Sequence, residues 1–369
     1  MSDAGRGYAA PRALSALALA AGIACAADPP DGSLTAVSWG GSFARAVNKA
    51  YYEPFEARTG VVIGREDYNG GLAQIRTQVD IGNVHWDVLS LEMSDAIRGC
   101  DEGLLERIPK DILAPGADGA PAEEDFSPGT LSECGVGHTF YSTIYAYHPD
   151  RFPDEKPSTI ADFFDLERFP GRRGMRRTPL VNLEFALLAD AVPPAEVYAV
   201  LDTPEGLRRA FRKLDTIRDH VVWWEAGAQP PQMLADAEVV MSTAYNGRIF
   251  NAQVLENQPF VIVWDGQVLA WGQMAIVAGS PNLDIALDYI RFITSPESLA
   301  RLTGYIAYGP VRRSALPLVS THVETGADMR PHLPTSPGNL RNALRSDFEW
   351  WTEHLDEMNE RFSAWLARS

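Results

Sequence analysis

Leu34-Thr35-Ala36-Val37-Ser38-Trp39-Gly40-Gly41-Ser42-Phe43 is the stretch on which the fold class turns. Leu34 to Trp39 reads as a β-strand, Gly40-Gly41-Ser42 as a small loop, and Phe43 to Thr59 as a helix with apolar residues at helical spacing. The unit then repeats: Val61 to Tyr68 predicts a second strand, Gly71 to Ile81 a helix, and Trp86 to Leu91 a third strand with few polar residues. Strands that alternate with helices imply a mainly parallel sheet covered on both faces. Ligands of such sheets bind beyond the carboxyl ends of the strands. That places Trp39 to Ser42 and Ser90 to Glu92 at the mouth of a first lobe.

Toward the C-terminus, Ala114 to Gly129 is rich in Pro, Gly, Ala and acids and reads as an exposed loop. Val136 to Tyr147 follows as an apolar, aromatic crossing strand, and Pro157 to Phe164 opens a helix with Ser158 as its cap. From there to about Ala270 the chain reads as a second α/β lobe, with a helix Pro204 to Arg218 and strands Val221 to Trp224 and Val239 to Tyr245. Trp264 to Val277 reads as a strand returning to the first lobe. A long amphipathic helix from Asn339 to Leu366 closes the chain, its stripe of Phe348, Trp351, Leu355, Met358, Phe362 and Leu366 suited to core packing rather than to a cofactor.

The 369 residues suit two lobes better than one core, and a chain 46% hydrophobic and 22% charged is globular. A net charge of -17 repels phosphate backbones and anionic membrane surfaces, which argues against nucleic acid as a partner. At the N-terminus Arg6 and Arg12 precede a short apolar run, Ala13 to Ala24, with small residues Ala24, Cys25 and Ala26 at a cleavage site. Residues 1–26 are therefore expected to be an export signal, the run being too short for a permanent bilayer span. Lipidation of Cys25 is the lesser alternative, because Gly22-Ile23-Ala24 fits the usual lipoprotein box poorly. Once Cys25 leaves with the signal, Cys100 and Cys134 remain, and an even pair in an oxidising compartment predicts one disulfide. If export fails, two unpaired buried thiols are the reading. Neither cysteine belongs to a C-x-x-C and the seven histidines are scattered, so a metal site has little support.

Several short stretches, in consistent order over nearly the whole mature chain, resemble the periplasmic binding proteins for spermidine and putrescine of the ABC importer class, the family 1 extracellular solute-binding proteins. They are Ser38-Trp39-Gly40-Gly41-Ser42-Phe43, Trp86-Asp87-Val88-Leu89, Glu133-Cys134-Gly135-Val136 with Tyr141-Ser142-Thr143, and Tyr245-Asn246-Gly247-Arg248. Trp271-Gly272-Gln273-Met274-Ala275-Ile276, Ser295-Pro296-Glu297 and Tyr308-Gly309-Pro310 continue the likeness. The resemblance implies a two-lobed type II periplasmic-binding-protein fold, with the ligand closed in a cleft between α/β lobes by a hinge near residues 140 and 271. The lobes expected on this basis are residues 33–140 with 272–330, and 141–271 with 331–369.

Polyamine binders hold ammonium groups with carboxylates at three places, and this chain departs at each: Gly40 and Gly41 after the first-strand Trp, Arg248 closing the Tyr245 motif, and Gly272 in the Trp271 motif. A guanidinium pairs with a carboxylate in bidentate fashion and repels a polycation. Arg248 thus argues for an anionic group on the ligand, and the resemblance is nearer to relatives that bind γ-aminobutyrate or opines and use an arginine at this position. The aromatic residues Trp39, Tyr141, Trp224, Tyr245, Trp271 and Tyr308 are candidates for the cleft walls, Trp39 and Tyr245 foremost because they match the family's pocket positions. An amine on the ligand would take its counter-charge from Glu92 or Glu225, and Ser42, at a helix N-terminus, could bond a carboxylate.

The expected function is therefore capture of a small carboxylate-bearing solute (a γ-amino acid, an opine or a betaine-like molecule) in the periplasm by a monomer that delivers it to ABC permease subunits. Polyamine binding is the alternative. No cofactor is implied. An enzyme lacks support, since G-x-S-x-G, a P-loop, G-x-G-x-x-G after a strand and H-E-x-x-H are all missing. A metal carrier on the same fold would need clustered His or paired cleft tyrosines, and Tyr51-Tyr52 fall inside the first helix, where packing suits them.

Overall fold

The computed structural model of the protein describes residues 32–368; the expected export signal, with Cys25, lies outside the described residues. The opening stretch folds as a strand, β1 (Ser33–Ser38), and a helix, Gly41–Val47. Strands β2 (Val62–Asp67) and β3 (Val88–Glu92) lie on either side of β1 and parallel to it. The helix expected to run unbroken to Thr59 is interrupted by a π-helical turn, Asn48–Tyr52, before it resumes as Glu53–Thr59. Pro54 accounts for the interruption: it has no N–H to offer the carbonyl of Ala50, so the regular ladder fails there. Arg301 Nη1 donates to that carbonyl instead, at 3.0 Å. Tyr51 and Tyr52 on this turn are both buried among core residues.

Strands β4 (Gly135–Tyr147) and β8 (Val261–Ile276) form a long antiparallel pair. At one end β3 joins β8, from Glu92 opposite Gly272 to Val88 opposite Ile276. At the other end β7 (Met241–Tyr245) joins β4, and β5 (Arg173–Arg176) and β6 (Val221–Trp224) extend the sheet in parallel beyond it. The strand order is β2-β1-β3-β8-β4-β7-β5-β6. Parallel strands linked by helices thus flank each end of one shared pair, which is the two-lobed α/β architecture. Phe140 lies directly opposite Trp271 in the β4–β8 ladder, and it also exchanges both backbone hydrogen bonds with Gly309, at 2.6 and 2.8 Å.

Cys100 and Cys134 form a disulfide with Cα atoms 5.6 Å apart, tying the helix Met93–Asp101 to the start of β4. By loop-closure entropy, linking residues 34 apart contributes roughly 3 to 4 kcal/mol. The segment it encloses is less open than its composition suggests. Ala122–Asp125 forms one helical turn, and Asp125 and Phe126 are buried against Arg312. Two further expectations need correction. The cap of the helix Ile160–Phe164 is Thr159, which with Asp162 forms a reciprocal capping box, rather than Ser158. The terminal helix spans Phe348–Leu366 and starts later than Asn339, because Asp347 caps it through Trp350 N and Leu344–Arg345 forms β9 beside β8. Its apolar stripe is core, as expected: Trp351, Met358 and Phe362 are buried, joined by Trp350 and Trp365. Among the described residues no helix is long and apolar enough to cross a membrane.

Candidate ligand-binding site

The carboxyl ends of strands from both ends of the β4–β8 pair converge on two adjoining cavities. One is bounded by Trp39 after β1, Tyr141 on β4, Arg248 and Tyr308. The second is bounded by Arg176 at the end of β5, Trp224 at the end of β6, Thr243 on β7 and Trp271 on β8. Glu92, Tyr141 and Tyr245 line both.

Glu92 ends β3 in extended conformation and precedes the next helix without a side-chain bond to it, which leaves its carboxylate for other partners where the sheet stops. It accepts a hydrogen bond from the Tyr141 hydroxyl and pairs with Arg176 Nη1 at 3.4 Å. Burial, then the charge of Glu92, holds the Tyr141 phenol well above its ordinary pKa, so it stays protonated and donates. Arg176 gives its other end to the carbonyl of Asn69 at 3.3 Å and stands over the Trp39 ring at 5.9 Å. These two contacts are long, and the Tyr245 hydroxyl also lies beside this guanidinium. Nearby Asp95 is pushed up to about 6 by burial and by Glu92. Trp39 Nε1 donates to Ser90 Oγ at 3.3 Å, and Ser90 Oγ lies 2.9 Å from Nε2 of buried His138. Burial pushes that histidine down to about 3, so the relay from cavity wall to crossing strand is uncharged at neutral pH.

Arg248, the third residue of the helix Asn246–Leu255, is 3% exposed. Its Nη1 and Nη2 donate to the carbonyls of Gly40 and Trp39, at 2.9 and 2.8 Å. A side chain at Gly41 would put its Cβ 2.7 Å from Nη1, and the backbone there has φ +60°, so Gly41 is what lets the guanidinium approach. Four buried donors lining the cavities have no protein acceptor: Trp224 Nε1, Thr243 Oγ1, Trp271 Nε1 and Arg248 Nε. Each such group costs roughly 1–3 kcal/mol when left unmet.

Of the residues singled out from sequence, Trp39, Glu92, Tyr141, Trp224, Tyr245, Arg248, Trp271 and Tyr308 all line one or both cavities. Gly40 and Gly41 act through Arg248 rather than as walls, and Ser42 is half-buried in the following helix, away from both linings. Glu225 is exposed and pairs with Arg177 at 3.4 Å outside the cavities. Arg176, Thr243 and Asn182 were not foreseen. For Arg176 and Asn182 the signal was the rule that ligands sit at strand ends, but it needs β5 to be recognised as a strand; Thr243 lies inside an expected strand. Among the described residues no group of three His, Cys, Asp or Glu side chains is placed to hold a metal.

Residues 50–334 match the family model of the bacterial extracellular solute-binding protein. A γ-aminobutyric acid-binding protein of Pseudomonas aeruginosa is 43% identical over 346 residues, covering 94% of each chain. A putrescine/cadaverine-binding protein of the same species is 24% identical, covering 76% of this chain and 81% of the other. Among solved structures, the PBP MotA of A. tumefaciens B6 in complex with glucopine superposes with a TM-score of 0.82 at 27% identity, over 90% of this chain and 99% of that one. A GABA receptor structure does so with a TM-score of 0.76 at 28% identity, over 91% and 98%.

Proposed function

The chain belongs to the bacterial extracellular solute-binding protein family, and from that premise we propose that it captures a γ-amino acid of the γ-aminobutyrate kind in the periplasm. Members of this family are substrate-binding components of ABC transporters rather than enzymes. Here the partner is the importer's permease, and the working unit is a monomer freed of residues 1–26. Residues 33–140 with 272–330 form one lobe and residues 141–271 with 331–369 the other. The facing pair Phe140 and Trp271 serves as the hinge, which its place at the middle of the shared ladder supports.

The observation that carries the reading is the excess of donors over acceptors in the cavities. Their single carboxylate, Glu92, already has Tyr141 and Arg176 as partners, while Arg176, Arg248, Trp224, Trp271 and Thr243 line the same space, the last three with donors that have no protein acceptor. A diamine would add only donors and positive charge to that set. A γ-amino acid supplies a carboxylate for the surplus donors and an ammonium for Glu92, and its methylenes suit the aromatic walls. Calorimetry on the mature protein with γ-aminobutyrate, putrescine and glucopine tests this. γ-Aminobutyrate should bind tightest, and putrescine displacing it would overturn the proposal.

A further inference from the structure

Three residues with donors that line the second cavity lie on neighbouring strands. Arg176 and Trp224 end β5 and β6 as direct register partners, and Thr243 lies on β7, one position beyond the Gly174–Ser242 pair. Trp224 Nε1 and Thr243 Oγ1 are buried with no protein acceptor, and the contacts of Arg176 with Glu92 and Asn69 are long, at 3.4 and 3.3 Å. The turn after β5 is held by Asn182, whose amide donates to the carbonyls of Arg176 and Thr178, both at 2.7 Å. The backbone that carries Arg176 is thereby fixed. Arg248 is placed otherwise, with both Nη groups already committed to backbone carbonyls across the turn at Trp39 and Gly40.

We infer that the carboxylate of the solute is received by Arg176, Thr243 and Trp224, and that Arg248 instead latches the helix Asn246–Leu255 to the Trp39–Gly40 turn. This rests on the reading that the solute carries a carboxylate. Only its anionic end then needs these donors, and its ammonium faces Glu92 where the two cavities meet. Arg248 contributes to affinity by holding the closed form and does not sense the charge of the solute.

The experiment compares γ-aminobutyrate with its neutral amide, γ-aminobutyramide, by calorimetry on the mature protein. The wild type should prefer the acid. In Arg176→Gln, and in the near-isosteric Thr243→Val and Trp224→Phe, that preference should fall by about tenfold or more, the usual weight of a hydrogen bond to a charged group. In Arg248→Gln both compounds should weaken together and the preference should persist. Small-angle scattering should show that variant contracting less on ligand addition, with recovery in Arg248→Lys. Thermal unfolding without ligand identifies variants that fold, and Thr243→Val keeps the test valid if Trp224→Phe does not. A preference that survives in the first three variants and collapses in Arg248→Gln overturns the inference while leaving the γ-amino acid reading intact. A wild type that takes putrescine and neither compound overturns both.

Discussion

Arg312 with Asp125 and Arg176 with Glu92 are both guanidinium–carboxylate pairs drawn out of water, and the molecule completes only the first. Arg312 and Asp125 are 0% exposed and meet at 2.6 Å. Arg312 also donates to the carbonyls of Thr294 and Ala114, and Asp125 accepts from Ser314 N and Ser314 Oγ, both at 2.7 Å. Burial opposes ionisation of Asp125, and the Ser314 and Arg312 bonds overcome it, holding its carboxyl below the ordinary value. Arg176 and Glu92 keep 19% and 15% of their side-chain surface, meet only at 3.4 Å, and stand among unmatched donors. The first pair pins the segment inside the disulfide loop to the segment after Pro310, with every nitrogen of the guanidinium and both oxygens of the carboxylate engaged. The second is open, as a group must be if a solute is to bind it.

The largest effect that tests this contrast belongs to the closed pair. Arg312→Leu should cost about 3–5 kcal/mol of stability in urea unfolding, because it strands a buried carboxylate. Adding Asp125→Leu should restore much of the loss, since two apolar side chains of suitable volume need no partners. A single-variant cost under about 1 kcal/mol would mean that Asp125 finds other partners and that the pair is not closed in this sense.

The contrast also shows where the sequence could and could not be read. The ends of β1, β3 and β7 and the middle of β4 stand out because apolar or aromatic runs lead to Trp39, Glu92, Tyr245 and Tyr141. The disulfide was expected on the premise that Cys25 leaves with an export signal and an even pair remains. β5 has no such run: Arg173-Gly174-Met175-Arg176 resembles a polar loop, yet Arg173 is buried, with its guanidinium bonded to the carbonyls of Phe163, Gly171 and Phe169. Gly174 is needed because a Cβ there would meet Ser242 Oγ at 2.2 Å. Tertiary contacts hold that strand, and they hid Arg176 with it. Arg248 was legible as a residue, but its partners are backbone carbonyls, which carry no side-chain signature.

Glu184 stands between the two extremes and gives a smaller, pH-dependent effect. Its Oε1 accepts from Trp351 Nε1 at 2.7 Å and from Tyr198 at 3.0 Å, whereas Oε2 is buried without a partner. Burial pushes this carboxyl up to about 7 from an ordinary 4.5. Between those values the folded state binds more protons than the unfolded state, so this group makes stability fall as pH rises. The loss is complete above about pH 7 and is at most about 3 kcal/mol. Glu184→Gln removes the titration. Urea unfolding at pH 5 and pH 8 should show the variant gaining on the wild type as pH rises, and an equal difference at both values would refute the assignment.

The smallest expected change in stability, and the sharpest test of the comparison, is at the open pair. Replacing a long, partly exposed ion pair by neutral groups of similar shape removes little Coulombic attraction and also removes the desolvation cost of both charges. Glu92→Gln keeps an acceptor for the Tyr141 hydroxyl, and Arg176→Met keeps most of the volume beside Trp39. The double variant should therefore unfold within about 1 kcal/mol of the wild type when no solute is present. In the wild type, solute bound only to the folded state raises the melting temperature by mass action. The double variant should lose that rise with γ-aminobutyrate, because it lacks partners for both ends of the molecule. Should the ligand-free double variant instead be destabilised as strongly as Arg312→Leu, then Arg176 and Glu92 belong to the framework, and the excess of donors around them is no longer evidence of a site.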